Sequence, residues 1–325
     1  MSKYVALPKL YKLNDYTISK KLSTGGFSIV YLAYDKNEMP VAIKEFFPTS
    51  LHLRSSGTKI DFINMREKHR FLEGLKAFKD ETEIVMQLKH RNIIEIINFF
   101  EMNGTAYIVM PYEYGQTLSR YITLEPNIDE TELISIIEGV FSAVQMFHDN
   151  GIIHLDLKPG NIWLRPNKEA LILDFGTARV LGDPVKSKQP PAYTKGYAAP
   201  EQHREFFQPP RVGVWTDYYG LGATLYALLE KTSPIPSPEL LLNDISPDIV
   251  MRRKGQFSEE ILKIVELLMN TSWDKRKKIN LKEIIASLKN IQPLPPTKSM
   301  SEALDDNMLI AQELFAKDPS IFYKK

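Results

Sequence analysis

An α+β fold in two lobes is the architecture this sequence predicts, and three observations predict it. Short runs rich in β-branched and aromatic residues fill the chain to about residue 110. Beyond that point apolar residues recur at helical spacing, and one helical pattern, over residues 66–88, also interrupts the early β-type runs. A β-rich part followed by a helical part packs as two bodies with a cleft between them.

The β-type runs are YTISKKL (16–22), SIVYLAYD (28–35), VAIKEFF (41–47) and AYIVM (106–110). In the helix among them Phe78, Ile84, Val85 and Leu88 share one face. Residues 47–65 form an insertion in which two alternating runs flank Ser55, Ser56 and Gly57, a pattern that predicts a β-hairpin. Residues 129–150 carry the clearest helical stripe: Leu133, Ile136, Ile137, Val140, Phe141, Val144 and Phe147. Asp129 caps its start with Glu132 three residues on, and Gly151 ends it. Further helices are predicted over 215–229, 258–269 and 280–288. IQPLPPTK (291–298) reads as an extended linker, and 301–316 as a last helix with Leu304, Met308, Ala311 and Phe315 at helical spacing. The resulting organisation is an N-terminal extension (1–15), a first lobe (16–110), a hinge and second lobe (111–291), and a linker with a terminal helix (292–325).

Composition narrows the function. Lysine and arginine total 41 against 40 acids, which argues against a nucleic-acid partner. With no cysteine, disulfides, thiolate catalysis and cysteine-ligated metals are excluded, and a reducing compartment fits. The start MSKYVALPKL has no apolar core of signal-peptide length, and the most apolar stretches, 93–100 and 221–229, fall short of the roughly 20 residues of a membrane span. A cytoplasmic protein without a membrane partner is expected.

Several short motifs follow one another: STGGFSIV (23–30), VAIKEF (41–46), HRNI (90–93), AYIVMPYEY (106–114), HLDLKPGN (154–161), LDFG (173–176), AAPE (198–201), DYYGLG (217–222) and WDKR (273–276). In kind and order they resemble the protein kinase superfamily, over about residues 16–291. The insertion after VAIKEFFP and the phrase NGTAYIVM resemble bacterial kinases of the eukaryotic-like serine/threonine type. The resemblance implies the bilobal kinase fold, with an antiparallel sheet and one helix in the first lobe and a mainly helical second lobe. It implies ATP and magnesium, with manganese as an alternative, and protein substrates with Ser or Thr acceptors. Phosphoryl transfer asks a protein for charge neutralisation, metal placement and one group that orients the acceptor hydroxyl.

By that resemblance Asp156 orients the acceptor, Lys158 neutralises the γ-phosphate and marks the serine/threonine class, and Asn161 and Asp174, 13 residues apart, hold the metal. Lys44 binds the α- and β-phosphates and pairs with a carboxylate of the 66–88 helix. Glu81, nine residues before His90, is the preferred partner and Glu83 its competitor. Leu22, Gly25, Gly26, Phe27, Val30 and Ala42 surround the nucleotide, Met110 is the gatekeeper, and Pro111, Tyr112 and Glu113 are the hinge. Pro111 fits because the first hinge residue offers only its carbonyl. Glu201 is expected to form a buried ion pair with Arg276, and Asp217 to anchor the catalytic-loop backbone.

Three positions depart from the family pattern. Ser23 and Ser28 replace the first and third glycines of the phosphate loop, where a Cβ restricts the backbone. Leu155 stands where kinases switched by activation-loop phosphorylation carry arginine, so activity is expected not to need phosphate on Thr177, Ser187, Tyr193 or Thr194. Thr194 is expected to contact the acceptor and Asp156. Two rival readings stand beside the active kinase: a pseudokinase that binds nucleotide or partners, which the serines and Leu155 favour, and a small-molecule kinase, which Lys158, Glu201 and Arg276 oppose. The terminal helix either packs on its own domain or serves as a detachable regulatory or partner-binding segment.

Overall fold

The computed structural model describes residues 6–51, 54, 57–62, 64–125, 127–175, 178–181, 193–203, 211–243 and 248–294. A six-stranded antiparallel sheet opens the fold: β1 (Lys12–Leu13), β2 (Tyr16–Thr24), β3 (Ser28–Tyr34), β4 (Pro40–Phe46), β5 (Asn98–Met102) and β6 (Thr105–Pro111), in the order β1-β2-β3-β4-β6-β5. Between β4 and β5 runs α1 (Met65–Val85), capped by Asn64, whose side chain accepts from the Glu67 N–H. Phe71, Leu75 and Phe78 of α1 are buried, and Phe46 of β4 stacks among them, with ring centroids 5.2 Å from Phe71 and 5.3 Å from Phe78. Those apolar residues belong to one cluster that continues through Ile93 and Ile94 into the helical part.

Register separates the two faces of this sheet. Val30 lies opposite Lys44, Ala42 opposite Met110 and Lys44 opposite Ile108, which puts these residues on the cleft side. Ile29, Tyr31, Ile43, Glu45 and Tyr107 alternate to the other side and are fully buried, covered by a second cluster that includes Leu7, Leu13 and Phe47. Among the described residues of 48–64 no strand is formed; Ser55 and Ser56, at the centre of the hairpin expected in the insertion, lie outside them. Arg54 turns inward to Glu45, so a buried carboxylate gains its cation there.

The second part begins with β7 (Gln116–Thr117), α2 (Leu118–Leu124) and α3 (Glu130–Asp149). Asp129 caps α3 by accepting from the Glu132 N–H at 2.8 Å, and the predicted stripe from Leu133 to Phe147 is its buried face. Then come β8 (Ile152–Ile153), β9 (Ile162–Leu164), β10 (Ala170–Ile172) and β11 (Arg179–Val180). α4 (Val214–Glu230) is apolar nearly all round and buried from Thr216 to Leu229. After it come α5 (Ser237–Asn243), α6 (Ile249–Arg253), α7 (Glu259–Leu268), α8 (Trp273–Arg276) and α9 (Leu281–Leu288), of which α7 and α8 pack on α4 and α9 on α3. Gly222 lets α7 approach closely, since a Cβ there would stand 2.7 Å from Leu268. The helix predicted over 301–316 lies outside the described residues.

Candidate active site

The cleft is floored by the loop between β8 and β9. Ile152 and Ile153 bury the strand, and the turn Pro159–Asn161 closes the loop. Asp217 of α4, 1 % exposed, holds the loop from below: its Oδ2 accepts from the His154 N–H at 2.8 Å and its Oδ1 from the Leu155 N–H at 2.7 Å. His148 Nε2 lies 2.8 Å from the same carboxylate. Leu155 takes a left-handed conformation (φ 69°), which rotates the next residue, Asp156, towards the cleft.

Asp156 sits in a net of donors. Lys158 Nζ donates to its Oδ2 at 2.6 Å, Thr194 Oγ1 to its Oδ1 at 2.8 Å, and Asn161 Nδ2 to its backbone oxygen at 2.8 Å and to Oδ2 at 3.0 Å. Lys158 also donates to Thr194 Oγ1 at 2.6 Å. The expected contact of Thr194 with Asp156 is therefore present, and Lys158 and Asn161 join the aspartate at one point. Such a carboxylate is oriented and able to accept a hydrogen bond from an incoming hydroxyl.

Asp174 follows β10, whose continuation Leu173 donates its N–H to the Asn161 oxygen at 3.1 Å. Phe175, 9 % exposed, packs against Phe147 of α3 (5.6 Å) and His154 (6.3 Å), fixing the direction of its neighbour. Burial holds the His154 imidazole below its ordinary range, against the opposing pull of Asp217, Asp156 and Asp174. The Asp174 carboxylate, 45 % exposed, meets the ammonium of Lys44 at 2.7 Å.

That last contact is the ion pair Lys44 makes among the described residues; the sequence reading preferred Glu81 as its partner. An ammonium only 15 % exposed requires an anion in contact, and Asp174 supplies it from across the cleft. Glu81 is half-buried on α1 while Glu83 points to solvent, so of the two glutamates Glu81 lies nearer the interior.

The serines of the glycine-rich segment are accommodated without strain. Ser23 pairs with Val30 and Ser28 with Phe46, both in extended strand, where a Cβ is tolerated. Gly25, Gly26 and Phe27 make the turn between them, with Phe27 68 % exposed at its tip. At the rear Met110, 9 % exposed, faces Ala42. Beyond Pro111 the chain runs to Glu113, whose carboxylate is gripped by Arg165 through Nη2 at 2.7 Å and Nε at 2.9 Å. Sequence reading missed this clamp, because Arg165 follows β9 at a distance of 52 residues. Leu22 and Ser23 also line, with Gly115, Trp163, Leu164 and Arg165, a cavity of about 770 Å³.

Two buried ties complete the site. Arg276 Nη2 meets Glu201 Oε2 at 2.5 Å with both side chains 0 % exposed, as expected. Gln202, 2 % exposed, donates through Nε2 to the Leu155 oxygen at 2.8 Å and accepts from the Ala199 N–H at 2.9 Å. No sequence signal pointed to Gln202.

Comparison with known proteins gives the same picture. The family model for the protein kinase domain matches residues 16–288. A probable serine/threonine-protein kinase PknB from Lactococcus lactis is 32% identical over 224 residues, 68% of this chain and 32% of its own length. The serine/threonine-protein kinase PrkC of Bacillus subtilis is 30% identical, over 67% of this chain and 31% of its own. The probable serine/threonine-protein kinase zyg-1 of Caenorhabditis briggsae is 29% identical over 84% of this chain and 34% of its own. The chain thus spans about a third of the length of these relatives. The solved structure "PpkA-294 apo form" superposes with a TM-score of 0.76 at 30% identity, covering 87% of this chain and 99% of that one. With the model spanning most of the sequence, this chain belongs to the protein kinase domain family.

Proposed function

We propose that this chain is an ATP-dependent protein serine/threonine kinase whose active site lies between the sheet and the β8–β9 loop. The observation that carries the reading is the meeting of Lys44 with Asp174 across the cleft, beside Asp156 with its Lys158, Asn161 and Thr194 contacts. The serine/threonine-protein kinases among its relatives support that acceptor class.

In this reading Asp156 accepts the hydrogen bond of the acceptor hydroxyl and aligns its oxygen, and Lys158 and Lys44 supply positive charge to the phosphates. Val30, Ala42 and Met110 bound the adenine, with Leu22 at the mouth and Pro111 and Glu113 as the hinge. Gly25, Gly26 and Phe27 form the turn over the phosphates. Asn161 spends its amide nitrogen on Asp156, which leaves Oδ1 as its atom for a cation, and Asp174 offers a part-exposed carboxylate. Both are hard oxygen donors of the kind magnesium or manganese takes. When bound there, such an ion neutralises phosphate charge.

Activity is independent of activation-loop phosphorylation in this reading. Leu155 is 4 % exposed, and Gln202 already ties its carbonyl to Ala199. Thr194 belongs to the Asp156 net, so alanine there tests the site; alanine at Thr177, Ser187 and Tyr193 tests the phosphate. The triple variant is expected to keep its rate within a few-fold, and an order-of-magnitude loss refutes independence. A cytoplasmic protein acting on protein substrates fits the even charge balance. No helix among the described residues is long and apolar enough to cross a membrane.

The deciding assay incubates the protein with labelled ATP, magnesium and a generic acceptor protein, beside Asp156→Asn. Label in the wild type that vanishes in the variant is the expected result. Equal label in both defeats the proposal, and nucleotide binding without label in either assigns the chain to the pseudokinases.

A further inference from the structure

Behind the cleft, on the covered face of the sheet, lies an ion pair that phosphoryl transfer does not use. Glu45 and Arg54 are each 0 % exposed. Glu45 follows Lys44 in β4, so the pleat sends its carboxylate to the face opposite the ammonium. Its Oε2 accepts from the Tyr31 hydroxyl at 2.7 Å and its Oε1 from the Tyr107 hydroxyl at 2.8 Å. The guanidinium of Arg54 reaches both oxygens and lies 4.8 Å from the centre of the Phe47 ring. Tyr31 belongs to β3 and Tyr107 to β6, the two strands that pair with β4, so one carboxylate cross-links three strands.

The segment between Glu45 and Arg54 has a second task. Phe47 donates its N–H to the Phe27 oxygen at 2.8 Å, and Thr49 donates its own to the Gly26 oxygen at 3.0 Å. The carbonyls of the glycine turn are thus held from behind by the chain that leads to Arg54. A buried carboxylate without its cation is strongly unfavourable, so this chain cannot swing away without stranding Glu45.

We propose that Arg54 is a positioning residue for ATP: locked on Glu45, it fixes the Lys44 strand and the glycine turn in one geometry. It touches no nucleotide and acts through the backbone of 44–49. The proposal rests on the nucleotide site read above.

The test compares wild type, Arg54→Met and the double variant Glu45→Gln/Arg54→Met, assayed well below their melting temperatures. Arg54→Met is expected to raise KM for ATP about tenfold while kcat and the KM for the protein acceptor stay within about two-fold. It also strands a buried charge and lowers the melting temperature. The double variant removes that charge, so its melting temperature returns towards wild type. Its KM for ATP is expected to stay raised. A KM that recovers together with the melting temperature makes the pair merely structural and overturns the proposal, as does a KM for ATP within two-fold of wild type in Arg54→Met. If Arg54→Met does not fold, the double variant decides by the same criterion. Binding of a fluorescent ATP analogue to Lys44→Met runs in parallel. Wild-type affinity there sinks the nucleotide-site reading, whereas loss there with wild-type behaviour of the Arg54 variants sinks only this inference.

Discussion

At Asp217 one side chain sets the conformation of the loop above it. Its two oxygens take the N–H groups of His154 and Leu155, both buried. Alanine would leave both donors unsatisfied, at about 1–3 kcal/mol each, and would release the left-handed turn at Leu155 that aims Asp156. Asp217→Ala is therefore expected to lose at least about tenfold in kcat along with thermal stability; a variant that melts lower but turns over at the wild-type rate would show that Asp156 is aimed by other contacts. His90 is a second residue with a readable consequence. Asn92 donates its N–H to His90 Nδ1 at 3.1 Å, so Nε2 carries the hydrogen facing Ser142 Oγ, also at 3.1 Å. Burial first, and Arg91 second, hold this imidazole below its ordinary value of 6.5. Because the folded form binds the proton more weakly than the unfolded chain, its contribution is whole above about pH 6.5 and is lost as pH falls below that. Melting temperatures measured from pH 7 to pH 5 are expected to fall less steeply in His90→Gln than in wild type.

Among the elements, the short α8 and the turn Pro200–Gln202 are joined by the Glu201–Arg276 pair, sealed from water. Arg276→Met strands a carboxylate that also accepts from Thr216, and a loss of about 3–5 kcal/mol by denaturant titration is expected. Glu201→Gln/Arg276→Met should regain most of it; equal loss in both variants would mean that packing, not charge, is what Arg276 supplies. This pair was legible in the sequence because AAPE and WDKR are compact signals whose roles travel together in the family. The α3 stripe and its Asp129 cap were legible because period and cap are local properties. The pairing of Lys44 with Asp174 was not, since it depends on the reach of Asp174 across the cleft, which no spacing encodes. The inward turn of Arg54 in the insertion was not legible for a related reason: its partner Glu45 is brought to it by the fold and not by any spacing. α2 escaped notice because seven residues hold fewer than two turns of pattern.

Across the whole molecule the burial is uneven in a way that suits a kinase. One cluster ties α1 through Ile93 and Ile94 to α3 and α4, so the helix behind the cleft and the floor beneath it share a core. The described chain is then stitched back to that core at its far end. Glu130, at the start of α3 and 3 % exposed, accepts from the Ser258 N–H, from the Ser258 hydroxyl and, at 2.8 Å, from the Leu294 N–H. The linker predicted from 291 onwards thus begins as a docked strap. Truncation after Gln292 removes Leu294 and leaves one oxygen of a buried carboxylate without its donor, which costs about 1–3 kcal/mol. Stopping after Leu294 keeps that bond and removes only the remaining residues. If the helix predicted over 301–316 packs on the body of the domain, the longer truncation and the shorter one both lower the melting temperature, the longer one more, while kcat at 25 °C is unaltered. A chain ending at Leu294 that melts like wild type but phosphorylates faster or slower would instead make those residues a regulator of the cleft.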